Sequence, residues 1–205
     1  MIMIRQSFLL LALLLELSSP AAHAQTPGPA ERSFTFPQLL TPGPEYNLLR
    51  SMVGTWKVDQ RVWMGPGAQP VTSPSFIAHR QLIGNFLQEK MEPVPGSGVD
   101  SFTRFAYFSF NNASHHWEYI VIDTRYPILM YETSFDNTEK NGNEFTVYLP
   151  EFIVPPFNKE MAGQLGKERR VVIVDGPDRN VVRQYWTLPA GKEYLAFEYV
   201  YTRQP

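Results

Sequence analysis

Three features of the sequence predict an all-β fold: a single antiparallel up-and-down β-barrel of about ten strands, preceded by a short helix. Apolar residues recur at every second position through most of the chain after residue 55, the periodicity of strands with one buried face. Turn signals separate these runs at roughly 10 to 15 residue spacing, as consecutive hairpins require. Aromatic residues make up 14% of the chain, and aromatic side chains favour strands. Closing such a sheet into a barrel also removes the edges on which strands aggregate.

The start of the chain lies outside that pattern. Met1 to Gln6 carries one positive charge, Arg5. Phe8 to Leu15 is an uninterrupted apolar run, and Ala22-His23-Ala24 sets small residues around a bulkier one. That order is the charged region, apolar region and cleavage site of a secretory signal. The apolar run is far short of the roughly 20 residues a membrane-spanning helix needs. Residues 1–24 are therefore expected to be a signal peptide cleaved after Ala24, giving a periplasmic or secreted protein with no integral membrane span after cleavage. Residues 25–43 contain Pro27, Gly28, Pro29, Pro37, Pro42 and Gly43 and read as a flexible mature N-terminus with little regular structure. The barrel domain is expected to occupy residues 44–205.

Within that domain Pro44 suits the first position of a helix and Glu45 its first turn. Leu48, Leu49 and Met52 then fall on one helical face, and Gly54 ends the helix. From Trp56 the period becomes two, and a first strand is predicted over Lys57 to Met64. A loop, Gly65 to Pro70, separates it from Ser75 to Leu82. Ile83-Gly84-Asn85 signals a tight hairpin, and Phe86 to Val94 returns. Beyond Pro95-Gly96-Ser97-Gly98 come Ser101 to Phe110, Trp117 to Asp123 and, after a Tyr126-Pro127 corner, Leu129 to Phe135. Asn141-Gly142 is the strongest short hairpin signal in the chain and leads into Asn143 to Leu149. Pro155-Pro156 then interrupts the rhythm. Pro150 to Lys167 reads as a long loop or a short helix over Asn158 to Leu165, the kind of excursion that forms a lid or binding loop. Arg169 to Val174, Val181 to Leu188 and Tyr194 to Arg203 complete the strands.

Composition excludes several classes of function. There is no cysteine, hence no disulfide, thiolate metal site, cysteine nucleophile or lipid-bearing cysteine. A disulfide-free exported domain must rest on its core, which suits a bacterial periplasm. A formal net charge of −2 without basic blocks argues against a nucleic-acid partner. The chain has no Gly-x-Ser-x-Gly elbow, P-loop or dinucleotide fingerprint. His115 and His116 are adjacent and would point to opposite faces of a strand, His79 stands alone, and no histidines have zinc spacing. Neither a metal nor a cofactor is expected.

Gly54-Thr55-Trp56 resembles the lipocalin and calycin signature, in which a tryptophan at the closed end of the barrel packs against an arginine near the end of the last strand. The resemblance implies structural roles for Gly54, Trp56 and Arg203. Nitrobindin-like haem proteins begin with a similar Gly-Thr-Trp, but their proximal histidine comes late in the chain, and here no histidine follows His116. A closer match covers most of the chain. Leu49 to Trp56, Trp63-Met64-Gly65-Pro66-Gly67 with Pro70, Leu82 to Leu87, and Tyr201-Thr202-Arg203 are similar to the bacterial family catalogued as domain of unknown function 1579. That resemblance implies a lipocalin-like barrel and no established activity.

Candidate functional residues are the ionisable side chains set into apolar strand faces. Arg104 shares a face with Phe102, Ala106 and Phe108, and Asp123 with Trp117, Tyr119 and Val121. Glu132 lies with Met130, Arg183 with Val181 and Tyr185, and Glu198 with Ala196 and Val200. Charges inside a barrel are costly unless paired, so inward ones would form a buried pair or meet a polar ligand group. Tyr185, Trp186, Tyr194, Phe197, Tyr199 and Tyr201 give the late strands an aromatic character that suits an apolar ring or acyl chain, or simple packing in a filled barrel. The first reading is a protein that binds a small hydrophobic ligand through Arg104, Asp123, Glu132, Arg183 and Tyr185. The second is a cofactor-free isomerase, cyclase or hydrolase with Asp123, Glu132 and Arg104 as its acid–base set. The third is a structural envelope protein.

Overall fold

A computed structural model describes residues 35–126, 128–135, 142–156, 161–189 and 191–205. The expected signal peptide, part of the expected flexible N-terminus, Pro127, Asn141 and the start of the helix expected at 158–165 lie outside the described residues.

The described strands form one antiparallel sheet: β1 (Gly54–Trp63), β2 (Pro70–Thr72), β3 (Phe76–Ile83), β4 (Phe86–Pro93), β5 (Arg104–Asn111), β6 (His116–Asp123), β7 (Leu129–Thr133), β8 (Glu144–Ile153), β9 (Leu165–Val174), β10 (Arg179–Thr187) and β11 (Tyr194–Arg203). From β3 to β11 each strand pairs with the next. β11 then pairs with β1, from Trp56↔Arg203 to Val62↔Phe197, which closes a ten-stranded barrel. The eleventh strand, β2, was not expected from the sequence. It is short and wholly exposed, and pairs with the second half of β1 (Arg61↔Thr72 to Trp63↔Pro70), which β3 leaves free because β3 pairs only with Gly54 to Val58.

Alternation along the strands sorts side chains into an inner and an outer face. Val58, Ala78, Leu87, Phe108, Val121 and Val172 belong to one continuous core inside the barrel. One end of that core is sealed by helix α2 (Glu45–Ser51), whose Leu48 and Leu49 are buried. Met52, Trp56, Trp117 and Phe145 complete the seal, all inaccessible to solvent, and the rings of Trp117 and Phe145 stack with centroids 4.1 Å apart. A second helix, α1 (Phe36–Leu40), lies in the stretch expected to lack regular structure. Pro37 favours a first helical turn, the Thr41 hydroxyl donates back to the Pro37 carbonyl at 2.8 Å, and Asn112 Nδ2 donates to the Thr41 carbonyl at 3.1 Å. Proline here starts a short helix instead of preventing one.

The junction from α2 into β1 explains Gly54. Its φ of +137° disfavours side chains, and a Cβ there would collide with the Arg203 guanidinium. Arg203 lies 4.2 Å above the Trp56 ring centroid and donates to the carbonyls of Val53 (2.6 Å), Ser51 (2.8 Å) and Pro177 (2.7 Å). It thereby satisfies acceptors left over at the end of α2.

The excursion is narrower than the span 150–167. β8 continues through Pro150 to Ile153, and β9 already begins at Leu165. Proline lacks the N–H of a regular ladder, and the pairing of β8 with β9 shifts register between Leu149 and Phe152. On its other side β8 pairs with β7 at Thr133↔Tyr148. Among the described residues, no helix is long and apolar enough to cross a membrane.

Candidate functional site

The inner face carries a layer of charge. Arg80 and Glu89 are cross-strand partners on β3 and β4, and Arg80 Nη2 lies 2.7 Å from Glu89 Oε2. On the next strand Arg104 Nη1 donates to Glu89 Oε1 at 2.9 Å, so one carboxylate sits between two guanidinium groups. Burial alone would raise the Glu89 carboxyl. Arg80 and Arg104 outweigh that and hold it below the usual carboxylate range. Across the barrel the stoichiometry is reversed. Arg170 donates from Nε and Nη2 to the two oxygens of Glu132, each at 2.8 Å, and its Nη2 also lies 2.6 Å from Glu168 Oε1. Tyr119 touches both groups: Arg104 donates to its hydroxyl, and the Arg170 guanidinium lies 4.6 Å over its ring. Burial pushes the Tyr119 phenol up to about 12. Asn180 and Gln184 set their side-chain amides beside Arg80 and Arg170.

Glu168 is the distinctive member of this layer. Burial pushes its carboxyl up to about 7. Arg170 opposes the shift, Glu132 adds to it, and a hydrogen bond from Trp186 opposes it in smaller part. Trp186 Nε1 donates to Glu168 Oε2 at 2.9 Å and connects the layer to a second apolar cluster. There Val154, just past β8, exchanges backbone bonds with Gln164 (2.9 Å) and Gly163 (3.0 Å), just before β9. Val154 and Met161 are buried with Trp186 and Ala196, flanked by Phe152, Leu188, Tyr194 and Phe197. This is the end of the barrel away from α2.

Two inward side chains are nevertheless not fully buried. Tyr199 faces inward, opposite Gln60 on β1 and Val182 on β10, yet it is only half-buried, as is the inward Met130. Burial raises the Tyr199 phenol, and Arg104, Arg170 and Arg125 oppose that rise. Arg125 is exposed, lies 3.6 Å over the Phe102 ring and grips Asp123 with Nε (2.9 Å) and Nη2 (2.6 Å). Burial raises the Asp123 carboxyl, and its bonds with Arg125 bring it below the usual range. Outside the barrel a surface pocket of about 350 Å³ is lined by Leu165, Lys167, Leu188, Pro189 and Gly191 among others. A smaller one of about 30 Å³ lies beside α2, against Tyr46 and Phe110.

The candidate residues therefore divide. Arg104, Asp123 and Glu132 share the inner face, but each is hydrogen-bonded to a different partner: Glu89 and Tyr119, Arg125, and Arg170 respectively. Arg183 and Tyr185 alternate with inward Val182, Gln184 and Trp186 and so belong to the outer face. There Arg183 donates to Glu198 at 2.9 Å, which Arg61 also contacts, and Arg169 lies 4.1 Å over the Tyr185 ring. Arg80, Glu89, Glu168 and Arg170 were not among the sequence candidates. Their signal was the same one that marked Arg104: Arg80 shares a face with Phe76 and Ala78, Glu89 with Leu87 and Met91, and Glu168 and Arg170 with Val172 and Val174.

A family model described as "Protein of unknown function (DUF1579)" matches residues 41–203. The chain belongs to that family. The DUF1579 match takes in all eleven strands and α2, and therefore both halves of the charged layer. No curated protein matches the chain. Among solved structures, the crystal structure of Rv2717c from M. tuberculosis is similar at TM-score 0.55 and 14% identity, covering 80% of this chain and 100% of that one. That likeness shows a shared fold. A redesigned β-barrel aligns at TM-score 0.38 and 11% identity, over 77% of this chain and 96% of that one, which is too loose to carry any argument about this DUF1579 protein.

Proposed function

We propose that this protein binds a small, mostly apolar molecule in the barrel end away from α2, between the charged layer and the segment after β8. One observation carries the reading. The α2 end is sealed by fully buried tryptophans, while at the other end an inward tyrosine, Tyr199, keeps contact with solvent. A packed structural barrel has no need of that asymmetry. A binding barrel does, because its ligand must enter from somewhere and the apolar walls must stop short of filling the space. Phe102, Trp186 and Phe197 offer aromatic surface near that end. Binding is favoured over catalysis because Arg104, Asp123 and Glu132 each hydrogen-bond a separate partner, even though Arg104 and Asp123 are cross-strand neighbours. Export, expected from the N-terminal signal, places the ligand outside the cytoplasm in this proposal.

The test is native mass spectrometry of protein taken from its own compartment, with titration of the purified protein by the neutral fluorophore N-phenyl-1-naphthylamine. A bound small molecule, or saturable one-to-one uptake of the fluorophore that Tyr199→Trp blocks, supports the proposal. Protein that carries no ligand and takes up no probe overturns it.

A further inference from the structure

The interior layer consists of two opposite triads. In Arg80–Glu89–Arg104 one carboxylate serves two guanidinium groups, and in Glu132–Arg170–Glu168 one guanidinium serves two carboxylates. With all six ionised the layer is neutral, as burial demands. The second triad does not hold its two carboxylates equally. Glu132 takes two parallel bonds from Arg170, whereas Glu168 has one oxygen on Arg170 Nη2 and the other on the Trp186 indole. The groups facing Glu168 are Arg170 on its own strand, Glu132 on β7, Arg104 on β5 and Trp186 on β10. Burial, with the neighbouring Glu132 carboxylate adding to it and Arg170 opposing it, raises the Glu168 carboxyl to about 7, so Glu168 can take up a proton near neutral pH. Three guanidinium groups then face two carboxylates, and the layer is left with one positive charge under the open end. Tyr199, inward and solvent-accessible, lies within electrostatic reach of Arg104, Arg170 and Arg125.

Resting on the binding proposal above, we infer that the ligand carries an acidic head group, a carboxylate or another monoanion, which settles against Tyr199 and the arginine layer and enters together with one proton taken up by Glu168. The charge balances. One negative charge arrives with the ligand, one proton neutralises Glu168, and the interior stays neutral overall. A neutral ligand has no such partner and gains nothing from the layer.

Two probes with the same aromatic body separate the possibilities. 8-Anilino-1-naphthalenesulfonate stays anionic across the range from about pH 6 to about pH 8.5, and N-phenyl-1-naphthylamine stays neutral. The expected result is a Kd for the anion that rises by up to about tenfold per pH unit above about pH 7, with a Kd for the neutral probe that does not change. Glu168→Gln, which keeps an acceptor for Trp186, should flatten the anion's pH dependence and retain the tight low-pH affinity up to about pH 8.5. A second measurement needs no variant: calorimetry near pH 8 in two buffers of different ionisation enthalpy should show about one proton taken up per anion bound. If the neutral probe binds while the anion binds no better and without proton uptake, the acid-ligand inference falls and the binding proposal stands. A Glu168→Gln protein that keeps the wild-type slope removes Glu168 from the proposal. If neither probe binds, the binding proposal itself falls.

Discussion

Trp56 and Arg203 form a joint that neither residue could make alone. The indole N–H donates to the Met52 carbonyl at 2.9 Å, and the guanidinium covers the ring while collecting carbonyls from the end of α2. Trp56→Ala should therefore cost about 3–5 kcal/mol through cavity formation, read as a lower urea midpoint at unchanged slope. Arg203→Lys keeps the charge but loses the planar fork and should cost about 1–3 kcal/mol. A wild-type midpoint in either variant would contradict this joint. Glu168 and Glu89 make opposite predictions about pH. The Glu168 carboxyl is raised in the fold from 4.5 to about 7, so the native state holds more protons than the unfolded chain between those values. Stability from this group is complete below about pH 4.5 and declines as pH rises towards 7. Glu89 is held down, so its contribution is complete above its unfolded value of 4.5 and is lost as pH falls. Together they predict a stability maximum on the acid side of neutrality, and Glu168→Gln should remove the decline above it. Thermal melts across pH would show this. A midpoint that climbs steadily to pH 8 would rule it out.

At the level of elements, inner and outer faces treat similar ion pairs differently. Glu132 is inaccessible to solvent and holds Arg170 from beneath. Glu132→Ala would leave a buried guanidinium short of its main partner and should cost about 3–5 kcal/mol. Arg183 bonds Glu198 at a similar distance, but 39% of its side chain is exposed, and Arg183→Ala should cost under about 1 kcal/mol. Equal losses from the two substitutions would show that the layer is no more important than the surface. The segment after β8 makes a separate prediction. Met161 packs against Trp186 and accepts a weak bond from Tyr194 at 3.6 Å. Met161→Ala should expose Trp186 and increase acrylamide quenching of tryptophan fluorescence without shifting the far-UV circular dichroism. The two elements that were not foreseen are both short. α1 depends on Asn112, a residue distant in sequence, and β2 depends on the part of β1 that β3 leaves unpaired. Neither dependence is visible in a local window.

For the whole molecule the decisive event is closure. β1 and β11 bring Trp56 against Arg203 from nearly opposite ends of the described chain, and a barrel can be complete only after that long-range pairing forms. Such a topology folds slowly, on a scale of about milliseconds to seconds. Its loss should be all-or-none: a chain ending at Leu188 would lack β11, leave β1 and β10 as open edges, and strip Arg203 from Trp56. Size-exclusion chromatography should find that truncation aggregated or unfolded. A soluble, monomeric truncated protein with native circular dichroism would show that closure matters less than stated.

The sequence by itself determined the barrel, because two-residue alternation and hairpin spacing are local signals that every strand repeats. It also pointed to the helix ahead of β1, and it singled out Arg104, Asp123 and Glu132 as charges among apolar residues of one parity without deciding which face they take. Parity could not show which alternating set on β10 faces inward, because Val181 and Val182 are both apolar, and the structure buries both. Arg183 and Tyr185 were accordingly grouped with the inner residues. Only the tertiary structure decided the partners. Glu132 on β7 meets Arg170 from 38 residues away in the chain, and Glu89 on β4 is shared by Arg80 on β3 and Arg104 on β5; whether a buried charge is paired, shared or left to titrate depends on how many opposite charges the closed barrel brings within hydrogen-bonding distance. That count is a property of closure, and no single strand contains it.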